Sequence, residues 1–327
     1  MLHFKVIMQF ALRRSRELSL LSFCLVLQFF CAASFANDVK NILFIVSKDT
    51  ANYIQIVELI KADLGNREKG VSFSTVQKDA RDKVESAMEK SDLIVTLGSS
   101  AAEIAIGKKV GKKLIASLIT ESAFTALAEQ HYGSKSKALA SGISVVVLDQ
   151  PLQRSLKLAA TVLPELNHVG LMLGPSSKIN APVFERQLKD AGMKPHILSI
   201  AATDNPIHKI DPVMKNSDVF IPIADSHLIN VTTAKWILQL SYRYRVPVIG
   251  FSKNYVNAGA LAAVFSSPED VARQTAEVVL DLLVGNHQSS NMHLPKYCTL
   301  KFNKNVAWHL GMNIKGEQFY TQRLCGL

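Results

Sequence analysis

The chain has 327 residues, of which 48% are hydrophobic, and a formal net charge of +10. Its basic residues are spread among acidic ones without a long basic run, which argues against a nucleic-acid-binding protein and leaves a mild preference for anionic partners. The hydrophobic fraction is ordinary for a globular protein, and the length suffices for one large domain or two modest lobes.

The first 36 residues have the pattern of a secretory signal peptide. Three arginines between positions 13 and 16 precede an apolar run over 18–33, and the small residues that end at Ala36 supply a cleavage site. The run of about 16 residues contains Gln28, whereas a membrane-spanning helix needs about 20 residues. We therefore expect a periplasmic protein cleaved near Ala36, with a retained N-terminal anchor as the alternative. Cleavage would lower the net charge from +10 to +7.

Two cysteines, Cys298 and Cys325, remain after this cleavage. Exported proteins keep disulfides, and a bond between these two would close a loop with 26 intervening residues. Two separate thiols are the alternative, and the spacing does not decide between them.

Short apolar runs rich in β-branched residues alternate with longer segments of helical periodicity along almost the whole mature chain. Strands are predicted at 41–47, 71–76, 93–97, 114–119, 142–148, 168–173, 195–200, 219–223, 247–251 and 260–265. Helices are predicted between them, among others at 50–64, 151–163 and 268–283, the last with Ser267 as its N-cap. Near-continuous apolar strands that alternate with helices predict an α/β fold with parallel sheets covered on both faces.

The segment YGSKSKALAS, residues 132–141, is polar and has no periodicity. It falls between the first five predicted strands and the others, at the candidate joint between two lobes. The alternative is a surface loop within a single sheet.

The segment VTLGSSAAEIA, residues 95–105, leads from a predicted strand directly into a predicted helix. In parallel α/β sheets, ligands bind outside the carboxyl ends of the strands, beside helix N-termini. Gly98 permits a sharp turn, Ser99 or Ser100 caps the helix, and the other hydroxyl and spare N–H groups would face a ligand carboxylate. The alternative is that both serines only cap the helix.

The same segment matches the G-x-S-x-G nucleophile motif of serine hydrolases except for its final alanine. Ser100 would be the nucleophile, with Asp225 and His287 or His309 as acid and base. A phosphate-binding loop is excluded by the missing second glycine and lysine, and the histidines are scattered without metal-ligand spacing. We therefore expect no cofactor, no metal and no enzymatic activity, with a secreted serine hydrolase as the alternative.

Small hydroxyl-bearing residues follow most of the other predicted strands as well. Asp225 follows the apolar run VFIPIA and would either accept a ligand's ammonium group or cap the next helix. Paired with the anion-binding turn at Gly98, this carboxylate suits a zwitterion. The candidate ligand-binding residues are Ser47, Gly98, Ser99, Ser100, Thr120, Ser122, Ser176, Asp225, Ser226, Phe251 and Ser252.

The chain also contains the stretches DLIVTLGSSAAEIA, SGISVVVLDQPLQRSLKLAATVLPELNHVGLMLGPSS, VFIPIADSHLIN and VPVIGFSKNYVNAGALAAVFSSPEDVARQTAEVVLDLLVGN. Together they resemble the substrate-binding components of ABC transport systems, which have the type I periplasmic binding protein fold. The resemblance adds Ala101, Gly142 and Ser144 to the ligand-binding candidates, because they match the family's small-residue turn and its T-G-x-S turn. The sequence departs from the family at 120–122, where Thr-Glu-Ser replaces an Asp-Pro step, so the ligand of relatives, which include binders of aromatic amino acids, is not inherited.

The resemblance implies two Rossmann-like lobes with a ligand cleft between them. The first lobe would comprise residues 37–144 and 266–290, and the second residues 145–265 and 291–327. The partners implied are a small polar or amino-acid-like ligand and an ABC permease in the inner membrane, with a sensor kinase as the alternative to the permease. We expect the protein to act as a monomer.

Overall fold

The computed structural model describes residues 39–109, 111–201, 203–225, 228–285 and 291–325, without the side chain of Arg81. The predicted signal peptide lies outside these residues. The strands are β1 (Lys40–Val46), β2 (Val71–Gln77), β3 (Leu93–Leu97), β4 (Lys113–Ile119), β5 (Ile143–Val147), β6 (His168–Leu173), β7 (Lys194–Ser199), β8 (Val219–Pro222), β9 (Ile249–Gly250), β10 (Ala262–Phe265), β11 (Met292–His293) and β12 (Thr299–Phe302).

The helices alternate with these strands. They are α1 (Ala51–Arg67), α2 (Arg81–Lys90), α3 (Ser99–Lys108), α4 (Glu121–Tyr132), α5 (Lys135–Ala140), α6 (Leu152–Val162), α7 (Ala181–Asp190), α8 (Pro206–Lys215), α9 (Val231–Tyr244), α10 (Lys253–Asn257), α11 (Pro268–Leu283), α12 (Lys304–His309) and α13 (Glu317–Leu324). Within the described part of the chain, no helix is long and apolar enough to span a membrane.

The first sheet contains six strands in the order β11-β5-β4-β3-β1-β2, and every neighbouring pair is parallel. Both of its faces are covered, because successive residues of β1 enter two different apolar clusters. Ile42 and Phe44 lie in one cluster, while Leu43 and Ile45 lie in the other. The four side chains are fully buried, which explains why this strand is a continuous apolar run in the sequence.

The second half of the chain forms two three-stranded sheets, β7-β6-β8 and β12-β10-β9. A parallel bridge between Phe220 and Val248 connects them side by side. The pairs are parallel except for β12, which runs antiparallel to β10. The ten predicted strands and the α/β class are confirmed, whereas β11 and β12 were not predicted.

Residues 132–141 do not join two sheets. They contain the short helix α5, whose N-cap Ser134 accepts a hydrogen bond from the Lys137 N–H. The strand that follows, β5, pairs with β4 in the first sheet. The segment is therefore a connection within one sheet and not a joint between two, and it is helical where the alternative prediction had a surface loop.

The chain passes between the two groups of strands three times: after β5, after β10 and before β12. Side chains from the first passage hold the other two in place. Gln150 Nε2 donates to Ser266 Oγ at 2.8 Å and to the Tyr297 carbonyl at 3.3 Å. Arg154 Nη1 donates to the Pro295 carbonyl at 2.9 Å and to Gln150 Oε1 at 2.6 Å. The three passages are thus hydrogen-bonded to one another.

Cys298 and Cys325 are joined by a disulfide, with their Cα atoms 5.3 Å apart. The bond connects the segment before β12 to the end of α13. Both cysteines are buried within an apolar cluster that also contains Phe302 and Tyr320. The C-terminal helix is therefore attached to the second group of strands by packing and by a covalent bond.

The predicted start of α11 is confirmed, and it gives a first testable expectation. Ser267 Oγ accepts from the Asp270 N–H at 3.1 Å, and Asp270 Oδ2 accepts from the Ser267 N–H at 2.9 Å. We expect Ser267→Ala to lower the free energy of unfolding by about 1 kcal/mol, since one end of this reciprocal cap is lost. Urea denaturation measures the change, and Ser99→Ala, an exposed serine that occupies no N-cap, should stay within about 0.5 kcal/mol of wild type.

Candidate functional site

The carboxyl ends of β1, β3, β4 and β5 lie side by side at one edge of the first sheet. Val46 pairs with Leu97, and Ile119 pairs with Val147, so the residues that follow these strands share this edge. We call it the first-sheet edge and define it by residues 47–53, 98–101, 118–122 and 148–149. It brings together the predicted site residues of the first five strands, except Gly142 and Ser144.

The first-sheet edge turns sharply at Gly98, the N-cap of α3, whose φ is +90°. An ideal Cβ at this position would lie 2.6 Å from Ser47 Oγ and 2.8 Å from the Tyr53 hydroxyl oxygen. The glycine is therefore required both for its backbone conformation and for the close approach of two side chains. Tyr53 was not among the predicted site residues, and burial raises the pKa of its hydroxyl.

The helix that follows is capped from another strand. Ser47 Oγ accepts the Ala101 N–H at 2.8 Å and so satisfies one free donor of the first turn of α3. Ser99 and Ser100 are exposed in the first turn, and the N-cap itself is Gly98, which has no side chain. The expectation that one of these two serines caps the helix is wrong, because Ser47 takes that role and leaves both hydroxyls at the surface.

The exit of β4 has an unusual backbone. Leu118 has φ +57°, and the register with β5 shifts between Ser117 and Ile119. A bulky residue in the left-handed region is strained, and such strain in a β-bulge is frequent beside binding sites. Thr120, the first residue after β4, caps α4 by accepting the Ala123 N–H at 3.2 Å. Its Oγ1 also lies 3.2 Å from Ser122 Oγ.

Asp149, which was not predicted, lies at the same edge just after β5. Its Oδ2 accepts the Glu121 N–H, the first of α4, at 2.7 Å. The pKa of the Asp149 carboxyl is raised to about 6, mainly by burial and to a smaller extent by the nearby charge of Glu121, while the backbone N–H bonds act in the opposite direction. This carboxyl group therefore changes charge close to neutral pH.

Gly142 and Ser144 are the two predicted residues that the first-sheet edge does not contain. They lie at the start of β5, where Ile143 pairs with Leu114 near the start of β4. Ser144 is fully buried within the sheet. The S-G-x-S sequence contains the first residues of its strand and does not follow the end of that strand, which puts these residues at the opposite end of the sheet.

In the second group of strands, Asp225 follows β8 and is buried. Its Oδ2 accepts the N–H groups of Ser176 and Ser177 at 3.0 and 2.8 Å, and the Ser177 hydroxyl at 2.9 Å. An ideal Cβ on Gly174 would lie 2.6 Å from the Asp225 carboxyl carbon. The carboxylate therefore holds the loop after β6 in place, and this loop contains the predicted residue Ser176. Ser226 lies outside the described residues.

Phe251 and Ser252 follow β9 at the corresponding end of the second group. Ser252 Oγ accepts the Tyr255 N–H at 3.4 Å and caps the short helix α10. The Phe251 ring packs on the Tyr255 ring with 5.1 Å between centroids. Tyr255 is buried, its hydroxyl has no hydrogen-bond partner within the described residues, and burial raises the pKa of that hydroxyl.

A pocket of about 510 Å³ opens between the first turns of α8 and α9. Its lining consists of Pro206, Ile207, Asn230, Val231, Thr232, Thr233 and Trp236. None of the predicted site residues belongs to it, so this pocket is separate from the strand-exit residues described above.

Within the described part of the chain, the residues predicted for a Ser100 hydrolase lie in different groups of strands. Among the described residues, no cluster of three or more histidine, cysteine, aspartate or glutamate side chains could hold a metal ion. Asp225, the proposed acid of a Ser100 hydrolase, belongs to the second group of strands and bonds the 176–177 loop. His287, one of the two proposed bases, lies outside the described residues.

Two groups of strands that are parallel except for β12, with polar residues at their carboxyl ends, form the fold of type I periplasmic binding proteins. The model of the ABC transporter substrate-binding protein family matches residues 62–319, and the chain belongs to that family. Proteins of this family bind a small ligand outside the cytoplasm and work with a membrane permease of an ABC importer. A comparison with curated protein sequences finds no match.

Solved structures share this fold at low sequence identity. One is a substrate-binding protein with adhesive properties from Clostridium difficile in its ligand-free, open form, with a TM-score of 0.66, 15% identity, and coverage of 86% of this chain and 97% of that one. Another is an ABC domain from Streptococcus pneumonia in complex with L-Trp, with a TM-score of 0.56, 16% identity, and coverage of 86% and 98%. A conserved domain protein from Vibrio cholerae has a TM-score of 0.55, 18% identity, and coverage of 86% and 98%.

Proposed function

We propose that this protein captures a small polar, amino-acid-like molecule in the periplasm and presents it to an ABC permease without changing it chemically. The observation that carries the proposal is the turn at residues 98–101. Ser47 takes up the Ala101 N–H of α3, and the hydroxyls and N–H groups of Ser99 and Ser100 remain available to an anionic or polar ligand group. An N-terminal signal peptide cleaved near Ala36 would deliver the protein to that compartment.

The two groups of strands would be the cores of two lobes, with the ligand between them. The three passages of the chain are short, as a hinge requires, and Gln150 and Arg154 hydrogen-bond them to one another. The neighbour from Streptococcus pneumonia holds L-Trp, which supports amino acids as the first class of ligand to test. The protein would act as a monomer, which light scattering after size-exclusion chromatography measures directly.

A thermal-shift screen of the mature protein tests the proposal. We expect an amino acid or a related metabolite to raise the melting temperature, since a ligand that binds the folded state alone stabilises it. Ser100→Ala should weaken that ligand by about three- to tenfold, the value of one hydrogen bond, without lowering the melting temperature of the free protein. Silence across broad libraries of amino acids, sugars and other metabolites would contradict the proposal.

A sensor kinase could take the place of the permease as the membrane partner, and a permease and an ATPase encoded beside this chain would favour transport. A secreted serine hydrolase is the second candidate function, favoured by the exposed position of Ser100 at the start of α3. A fluorophosphonate probe would label the wild type but not Ser100→Ala if Ser100 were a nucleophile. An unlabelled wild type removes the hydrolase and leaves the binding function.

A further inference from the structure

The acidic side chains that follow strands of the two groups differ in what balances their negative charge. Glu121 forms an ion pair with Lys135 at 2.8 Å. Asp225 is satisfied by the loop that contains Ser177. Asp149 has neither arrangement. Within the described part of the chain, the Asp149 carboxylate accepts a hydrogen bond from one other residue, through the Glu121 N–H. No lysine or arginine of the described residues forms an ion pair with it.

A carboxylate in this situation favours a cation. Asp149 is partly buried, and water is the medium that would otherwise stabilise its charge. The pKa of its carboxyl is raised to about 6, mainly by burial. Because the group is still ionised at pH 7 to 8, an ammonium group placed beside it would replace the missing water.

Asp149 lies two strands away from the 98–101 turn. Gly98 N–H donates to the Ser117 carbonyl of β4, and Leu148 N–H donates to the Ile119 carbonyl of the same strand, both at 2.9 Å. Neighbouring strands are about 4.8 Å apart, so the strand exits that carry the turn and Asp149 are separated by roughly 10 Å across the edge. An α-amino acid with one hydrogen bond at each end spans a comparable distance.

We propose that Asp149 accepts the ammonium group of a zwitterionic ligand whose carboxylate binds at the 98–101 turn. The ligand class is then the free α-amino acids, and the cation acceptor is Asp149 rather than Asp225. This inference rests on the proposed binding function and adds that the ligand carries an ammonium group, which Asp149 binds.

Isothermal titration calorimetry with paired probes tests the assignment. Each pair contains an L-amino acid and the acid that lacks only its amino group, for example L-tryptophan with indole-3-propionate, and L-phenylalanine with 3-phenylpropionate. We expect Asp149→Asn to weaken the amino acid that binds wild type by about 10- to 100-fold, the range for a hydrogen bond to a charged group. The des-amino partner should bind wild type and variant equally.

A matched control separates ligand contact from loss of structure. Asp92→Asn removes a carboxylate that also accepts one backbone N–H, that of Asn41 at 2.7 Å, at the opposite end of the same sheet. It should leave both members of the pair unchanged. At pH 7.5, above the raised pKa, Asp149 is charged, and burial makes this charge unfavourable in the folded protein. The melting temperature of Asp149→Asn at this pH should therefore be no lower than that of wild type.

Three results would overturn the assignment, and they can be told apart. If Asp149→Asn weakened the amino acid and its des-amino partner equally, or neither, the carboxylate would not contact the ammonium group. If wild type bound only compounds without an amino group, such as sugars, solute binding would stand and the assignment would fall. If no compound bound wild type, the proposed function would fall together with the assignment.

Discussion

Replacing Gly98 by alanine is expected to lower the free energy of unfolding by about 4 kcal/mol and to abolish ligand binding. The backbone at this position has φ +90° and ψ 159°, a region that essentially only glycine adopts, which disfavours any side chain by about 1 to 3 kcal/mol. The new methyl group would also lie 2.6 Å from Ser47 Oγ and 2.8 Å from the Tyr53 hydroxyl, and overpacking of this kind is unfavourable by about 1 to 3 kcal/mol. Guanidinium denaturation measures the sum.

Gly98→Ala should also abolish ligand binding, because it disturbs the contact with Ser47. The methyl group must displace Ser47 Oγ, which accepts the Ala101 N–H and holds the first turn of α3. Gly65→Ala is the matched control, because Gly65 lies inside α1 with no atom within 4 Å of an added Cβ. That substitution should stabilise the protein by about 0.5 to 1 kcal/mol. A Gly98→Ala protein as stable as wild type would show that the turn is not packed as described.

The strands of this fold could be predicted because burial on both faces makes each one a continuous apolar run. Ile42–Ile45 is such a run, and both clusters that receive its side chains are apolar. β11 has only two residues, and β12 alternates between buried and half-buried positions over four residues, so neither has a comparable pattern. Their places are determined by pairing with β5 and β10, which a local pattern does not record.

The candidate site was predicted as a set of strand exits but not as a set of contacts. Ser47 and Ala101 are 54 positions apart in the sequence. The local pattern therefore pointed to Ser99 and Ser100 as caps of the helix and not to Ser47, which caps it. Asp149 was overlooked because it follows VVVL without the small hydroxyl residues used as the signal. A carboxylate directly after a buried strand is the pattern that pointed to Asp225 as a ligand-binding residue. The same pattern would have pointed to Asp149.

Asp225 shows why a motif in the sequence does not reveal which partner a side chain takes. The residue follows its strand as a ligand-binding carboxylate would, yet its hydrogen bonds go to Ser176 and Ser177. These lie 49 and 48 positions earlier and meet it only because β6 and β8 are paired. Its effect on binding should therefore pass through the stability of the loop after β6.

We expect Asp225→Ala to lower the free energy of unfolding by about 4 kcal/mol, because it leaves the N–H groups of Ser176 and Ser177 and one hydroxyl without their acceptor. Gly174→Ala should lower it by about 2 kcal/mol. The three atoms nearest to its added Cβ, at 2.6 to 2.8 Å, all belong to the Asp225 carboxylate. These two effects have one cause, so they should not add.

A double-mutant cycle makes this coupling measurable. In the Asp225→Ala background, Gly174→Ala should be nearly neutral, since the atoms that it would meet are gone, and the coupling free energy should reach about 2 kcal/mol. Gly170→Ala, within β6 itself, is the control. Its added Cβ would lie 2.6 Å from Ser217 Oγ and 2.9 Å from the Phe220 ring, so the substitution should be equally unfavourable in both backgrounds. Equal losses for Gly174→Ala with and without Asp225 would mean that the carboxylate does not occupy the space beside β6, and that it faces a ligand as the sequence first suggested.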